Sequence, residues 1–199
     1  AQVTALTQIA LHLSNGSTPL YKPLLKELNE LPAKAQAILD QADSIKKVAE
    51  KYKDYRDFLF IGRHYLFPCA LEGALKLKEV SYVHAEGYAA GEMKHGPLAM
   101  IDEQFPTFAL ATDSPLLEKT HSSIQEIRAR GGPVVAIATE GNDTIGRVAD
   151  DTIYIPPTLE QTQPILTAIV MQLFSYYIAV AKDFDVDRPR NLAKSVTVE

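Results

Sequence analysis

Glu72, Lys76 and Glu79 are spaced i, i+4, i+7 within PCALEGALKLKEVSYV, residues 68–83. On a helix that spacing puts all three in one narrow arc of a single face. Two readings of the stripe stand side by side. In one it is a solvated ladder, with Glu72 and Lys76 forming an ordinary ion pair worth about 0.2–0.5 kcal/mol. In the other, Glu79 is a proton-transferring base whose position and charge state are set by Lys76 one turn away. The stripe follows the run FLFIG (58–62), and open parallel sheets bind ligands at the carboxyl ends of their strands. The expectation is therefore that Glu79 and Lys76 stand at that edge.

Three further residues could do chemistry. His95, in GEMKHGPLAM (91–100), sits on a loop before a Gly-Pro turn, and an imidazole titrating near neutrality suits acid–base work. Lys194 lies in the terminal DVDRPRNLAKSVTVE (185–199). An amine that attacks a carbonyl must be neutral, which calls for a dry setting. Leu192, Val196 and Val198 around it make the segment read as one that docks and shields, with an ordinary surface lysine as the alternative. Cys69 sits among Pro68, Ala70 and Leu71 and reads as a small buried hydrophobe rather than a nucleophile. His12 and His121 fall in helical runs, while His64 and His84 lie near turns without a carboxylate beside them in sequence.

These residues must be positioned by the elements around them. Residues 1–54 read as successive helices, from the spacing of Ile9/Leu13, Leu24/Leu25/Leu28/Leu31 and Ile38/Ala42/Ile45. From residue 57 the period changes. Short apolar runs at 58–62, 105–111, 133–138 and 151–156 alternate with helical stretches at 68–83, 115–130 and 163–182. Continuously apolar strands alternating with helices predict a parallel sheet covered on both faces. Gly131-Gly132 stops the middle helix. The turn Gly62-Arg63-His64-Tyr65 carries one glycine and no hydroxyl, a weak phosphate signature.

With 46% hydrophobic residues, 199 residues can bury one good core. A net charge of -5 argues against a nucleic-acid partner. One cysteine excludes an internal disulfide and a Cys-rich metal site, and suits a reducing cytoplasmic setting. Neither a metal nor a cofactor is expected. The most apolar run, 165–181, is broken by Gln172 and Ser175 and reads as too short and polar for a bilayer.

Two separate stretches, ALEGALKLKEVSYVHAEGYAAGEMKHGPLAMID and DRPRNLAKSVTVE, resemble the carboxyl-terminal end of the glucosamine-6-phosphate synthases, the glutamine:fructose-6-phosphate aminotransferase family. The likeness runs from about residue 57 to 199. It implies a three-layer αβα sandwich with a five-stranded parallel sheet, the sugar-isomerase (SIS) fold. The division implied is a helical segment at 1–54, an SIS domain at 55–182 and an active-site tail at 183–199. The glutaminase domain and a first SIS domain, with its hydroxyl-rich phosphate loops, would lie outside this chain, so the fragment alone is expected to be inactive.

Carried over by position, the resemblance implies a Schiff base from Lys194 to open-chain fructose 6-phosphate. Glu79 would move the proton between the first two sugar carbons, with Lys76 tuning it. His95, lent by the neighbouring subunit of a homodimer, would assist ring opening, and the backbone carbonyl of Ala193 would touch the sugar. The product would be glucosamine 6-phosphate. Arg63-His64-Tyr65-Leu66 departs from the smaller, more polar turn usual in the family. Another sugar-phosphate isomerase or deglycase of the same fold, and a non-catalytic sugar-phosphate sensor, are the alternative readings.

Overall fold

The computed structural model describes residues 1–192. Apolar runs form five strands, β1 (Asp57–Gly62), β2 (His84–Ala89), β3 (Thr107–Ala111), β4 (Val134–Thr139) and β5 (Asp151–Ile155). All pair in parallel, in the order β2-β1-β3-β4-β5. Leu59–Thr107 and Ile61–Ala109 bring the runs at 58–62 and 105–111 side by side in the same direction. The fifth strand, β2, was not marked by an apolar run. It lies at the edge of the sheet, where one flank needs no partner, and its sequence HAEGYA is half polar.

Alternation along the strands gives the sheet two faces. Phe58, Phe60, Phe108, Leu110, Val135, Ile137 and Ile153 pack under α3 (Ala42–Tyr52), α4 (Leu66–Ser81) and α7 (Gln163–Ala181). Leu59, Ile61, Ala109, Ala136 and Ala138 pack under α5 (Leu117–Arg128), the one-turn α6 (Asp143–Gly146) and the connection from β2 to β3. The rings of Phe60 and Phe108 stack at 5.2 Å, and Phe174 of α7 meets Phe108 edge-on at 4.9 Å.

By length and mean hydropathy (19 residues, 1.7) α7 would suffice to cross a bilayer, contrary to the expectation for 165–181. It is the central helix of the layer over the first face. Leu166, Val170, Met171, Phe174 and Ile178 are buried against the sheet and its neighbouring helices.

Two of the three leading helices are fastened to this body by polar groups. Tyr52 of α3, itself buried, donates from its hydroxyl to Asp151 Oδ2 of β5 at 2.8 Å. Buried Glu27 of α2 (Tyr21–Leu39) accepts from Lys34 Nζ at 2.7 Å and from the Thr158 hydroxyl. The first helix, α1 (Gln2–Ser14), buries only Leu11 and presents Leu6, Ile9 and Leu13 to solvent.

Candidate active site

Helix α4 carries the acidic stripe. Its buried side, Cys69, Ala70, Gly73, Ala74 and Leu77, repeats at the helical period, with small residues where the helix meets the sheet and α7. A Cβ added to Gly73 would come within 2.9 Å of the Phe60 ring. The helix starts four residues after β1 ends and runs back along the sheet. Tyr82, in the left-handed conformation at φ 57°, caps it just before His84, which is in register with Asp57 at the first position of β1. Glu79, in the last turn, therefore stands by the amino edge of the sheet. The expectation that it marks the carboxyl edge is corrected: a crossover helix begins at one edge and ends at the other, and sixteen residues carry it the full depth of the strands.

Within the stripe the close pair is not the one at i, i+4. Lys76 Nζ lies 2.7 Å from Glu79 Oε2 and 3.5 Å from Glu72 Oε1. The hydrogen bond to Glu79 raises the Lys76 ammonium above the ordinary lysine value, against a smaller opposing effect of burial. Lys76 is thus held as a cation. It can fix and polarise Glu79 but is not itself a base.

The terminal segment reaches the same place. Beyond α7, Phe184 packs edge-on to the Tyr82 ring at 4.9 Å. Arg190 lays its guanidinium over that ring at 4.1 Å, and its backbone N–H donates to the Tyr82 hydroxyl at 2.8 Å. Tyr82 is three residues from Glu79, so Phe184 and Arg190 tie the terminal segment to the end of α4 that carries the carboxylate. Leu192, expected to hold the segment by burial, is 54% exposed. Phe184 and Arg190 do that work, and neither they nor Tyr82 carried a signal in sequence, because their partner lies more than a hundred residues away. Ala193 and Lys194, with Val196 and Val198, fall outside the described residues.

His95 is not brought to Glu79. It ends the single 3₁₀ turn Met93–His95, with its side chain 76% exposed and Nε2 3.9 Å from Glu92 Oε2. Met93, two residues earlier, is buried in the core under α5, on the face of the sheet opposite α4. Leu98, three residues later, packs against the same core, so the residues on both sides of the histidine belong to the face opposite α4.

His84 does have a carboxylate partner, supplied by strand pairing rather than by sequence proximity: Nδ1 is 2.9 Å from Asp57 Oδ1. His64, at φ 52°, rests against the Tyr65 ring in the turn before α4. Cys69 is buried, and burial pushes its thiol up to about 11. Among the described residues, no three His, Cys, Asp or Glu side chains gather in a way that could hold a metal ion.

This chain is similar to the isomerizing glutamine–fructose-6-phosphate aminotransferase of Thermus thermophilus, at 52% identity over 203 residues covering 100% of this chain and 34% of that protein. To the same-named protein of Bacteroides thetaiotaomicron it is 48% identical over 202 residues, covering 100% and 33%. The chain thus spans about a third of the length of the curated relatives it matches. Among solved structures, the C-terminal domain of glucosamine-fructose-6-phosphate aminotransferase from Francisella tularensis superposes with a TM-score of 0.79 at 36% identity. The match covers 83% of this chain and 47% of that one. Tagatose-6-phosphate ketose/aldose isomerase from Escherichia coli shares the fold, with a TM-score of 0.61 at 21% identity over 74% of this chain and 42% of that one. The model of the SIS domain matches residues 51–182, well over half of the sequence, and the chain belongs to the SIS domain family.

Proposed function

We propose that this chain supplies the isomerase half-site of a glutamine:fructose-6-phosphate aminotransferase, an enzyme that makes glucosamine 6-phosphate from fructose 6-phosphate and glutamine-derived ammonia. The observation that carries the reading is the meeting at the end of α4. Glu79 is pinned by Lys76 at 2.7 Å, and the terminal segment is tied to Tyr82 four residues before Lys194. Relatives of that name, matched over the whole chain, support it.

In this mechanism the neutral amine of Lys194 attacks the C2 carbonyl of the open-chain sugar, and water leaves as the imine forms. Ammonia then adds to C2 and the Lys194 amine leaves, so that the imine nitrogen becomes the one the product keeps; that imine, once protonated, acidifies the hydrogens on C1. Glu79 removes one of them and returns a proton to C2, converting ketose to aldose. Lys76 keeps the Glu79 carboxylate in place through both transfers. The tail closes over the sugar, with the Ala193 carbonyl against it, and excludes water that would hydrolyse the imine.

Ring opening is assigned to His95 of a second copy in a homodimer. The packing of Met93 and Leu98, which flank His95, on the face opposite α4 supports that arrangement over a site built within one subunit. Glutaminase and first SIS domains would complete the protein. The apolar face of α1, with Leu13 77% exposed, supports a further domain packed there. A single buried free thiol is in keeping with a cytoplasmic enzyme.

The test uses a chain that carries the preceding domains. Lys194→Arg keeps the charge but cannot form an imine, since a guanidinium stays protonated. That variant is expected to bind fructose 6-phosphate, make no product and leave no adduct after borohydride, whereas the unmodified protein is trapped at Lys194. A reduced adduct mapped by mass spectrometry to another lysine overturns the assignment.

A further inference from the structure

Tyr82 occupies a backbone position that suits glycine. It caps α4 at φ 57° and ψ 17°, where a side chain crowds its own backbone, and a helix that needed only to stop would place glycine there. Asn15, Asp183 and Asn191 share the left-handed conformation and are of the polar types that tolerate it. A bulky ring is not. A residue kept in such a conformation points to a task for its side chain.

That side chain holds the terminal segment, which is shaped to meet it three times. Asp183 turns the chain back at the end of α7 with φ 58°, and the Phe184 N–H donates to the Ala179 carbonyl at 3.0 Å. Phe184 then packs edge-on to the Tyr82 ring. The Asp185 carboxylate accepts from the N–H groups of Asp187 and Arg188 at 3.0 and 3.2 Å, an Asx turn that bends the segment between its contacts. Pro189 stiffens the approach to Arg190. The Arg190 guanidinium covers the same ring, and its backbone N–H donates to the Tyr82 hydroxyl. One side chain thus fixes both ends of the bend.

Tyr82 lies three residues beyond Glu79, and four peptide units, at most about 14 Å when extended, separate Arg190 from Lys194. The ring therefore links the helix turn that carries the carboxylate to the chain that carries the amine. We propose that Tyr82 is a positioning residue: it fixes the base of the terminal segment at the end of α4, so that Lys194 and Glu79 address the same sugar. The inference rests on the aminotransferase reading and adds to it a residue that acts through those two.

The parent, Tyr82→Phe and Tyr82→Gly are compared in a chain that carries the preceding domains. Tyr82→Phe keeps the ring and removes the acceptor of the Arg190 N–H. Tyr82→Gly suits the left-handed backbone and removes the link altogether. In Tyr82→Gly kcat is expected to fall about a hundredfold, the effect of a displacement on the order of 1 Å, while KM for fructose 6-phosphate stays within about threefold. Borohydride trapping at Lys194 should slow in proportion. Tyr82→Phe should lose about three- to tenfold in kcat, one neutral hydrogen bond, and its Arg190 amide should exchange with solvent faster than the parent's. A Tyr82→Gly protein as active as the parent would show that the tyrosine serves the helix cap alone; that overturns the proposal, while an adduct at Lys194 of the parent leaves the aminotransferase reading standing. A raised KM with kcat unchanged, or an Arg190 amide as protected in Tyr82→Phe as in the parent, also overturns it. Absence of any adduct at Lys194 in the parent removes the aminotransferase reading and this proposal with it.

Discussion

Lys76, Tyr52 and Cys69 each hold a proton more firmly in the folded chain than in the unfolded one, for two different reasons. Lys76 keeps its proton through the hydrogen bond to Glu79, whereas Tyr52 and Cys69 keep theirs mainly through burial. The sign is the same for all three. Below the unfolded value both states are protonated and stability is full. Above it the unfolded state releases its proton first, and stability falls until the folded group also titrates. For Cys69 that window runs from 9.0 to about 11, and two pKa units correspond to on the order of 3 kcal/mol. The urea midpoint is therefore expected to fall between about pH 9 and pH 11, less steeply in Cys69→Ala. Iodoacetamide at pH 8 should leave the folded thiol unmodified and label it once urea unfolds the chain; rapid alkylation of the native protein would contradict its burial. The inert reading of this cysteine was legible from its apolar neighbours. The pairing of Lys76 with Glu79 was legible from their spacing, but which edge of the sheet they occupy was not. A helix face specifies what points outward and carries no information on how deep along the sheet each turn lies.

At the scale of elements, the site depends on how closely α4 lies against the edge strand. Gly87 of β2 makes that approach possible: a Cβ there would stand 2.6 Å from Leu71 Cα and 2.7 Å from Leu71 N, backbone atoms that cannot rotate aside. Gly87→Ala must push the helix away from the strand, and a cost of about 1–3 kcal/mol is expected, read as a lower thermal midpoint. Because α4 carries Glu79 and Tyr82, faster amide exchange over residues 184–190 should accompany it. A melting curve and an exchange pattern like those of the parent would show that the contact yields at no cost. Four strands and the principal helices were legible because buried parallel strands are apolar on both faces and the helices keep their period. The edge strand was not. β2 spends its residues on Glu86, Gly87 and Tyr88, one of them present for helix contact and not for burial, so no apolar run announces it.

The whole molecule gives the strongest test of the proposed site, because its two acid–base groups lie on elements that pack on opposite faces of the sheet. Glu79 is on α4, and His95 lies between Met93 and Leu98, which pack on the α5 side. If both act on one sugar, the histidine comes from a second copy, and a two-fold arrangement lends each chain's loop to the other. Two variants of a chain that carries the preceding domains separate the possibilities. Glu79→Gln and His95→Asn alter partly and largely exposed side chains, so each is expected to fold and each alone to lose activity. In a dimer containing one of each, one site receives both changes, while the other combines the intact glutamate of one chain with the intact histidine of its partner. Equal co-expression makes about half the dimers mixed and half of their sites whole, so activity should return to about a quarter of the parent level. A site assembled within one chain gives none, since every copy then carries a defect of its own. Recovery that tracks the fraction of mixed dimers, separated by two different affinity tags, would assign His95 to the partner's sugar. Inactive mixed dimers would place it elsewhere, and the reaction would then have to open the sugar ring with another group.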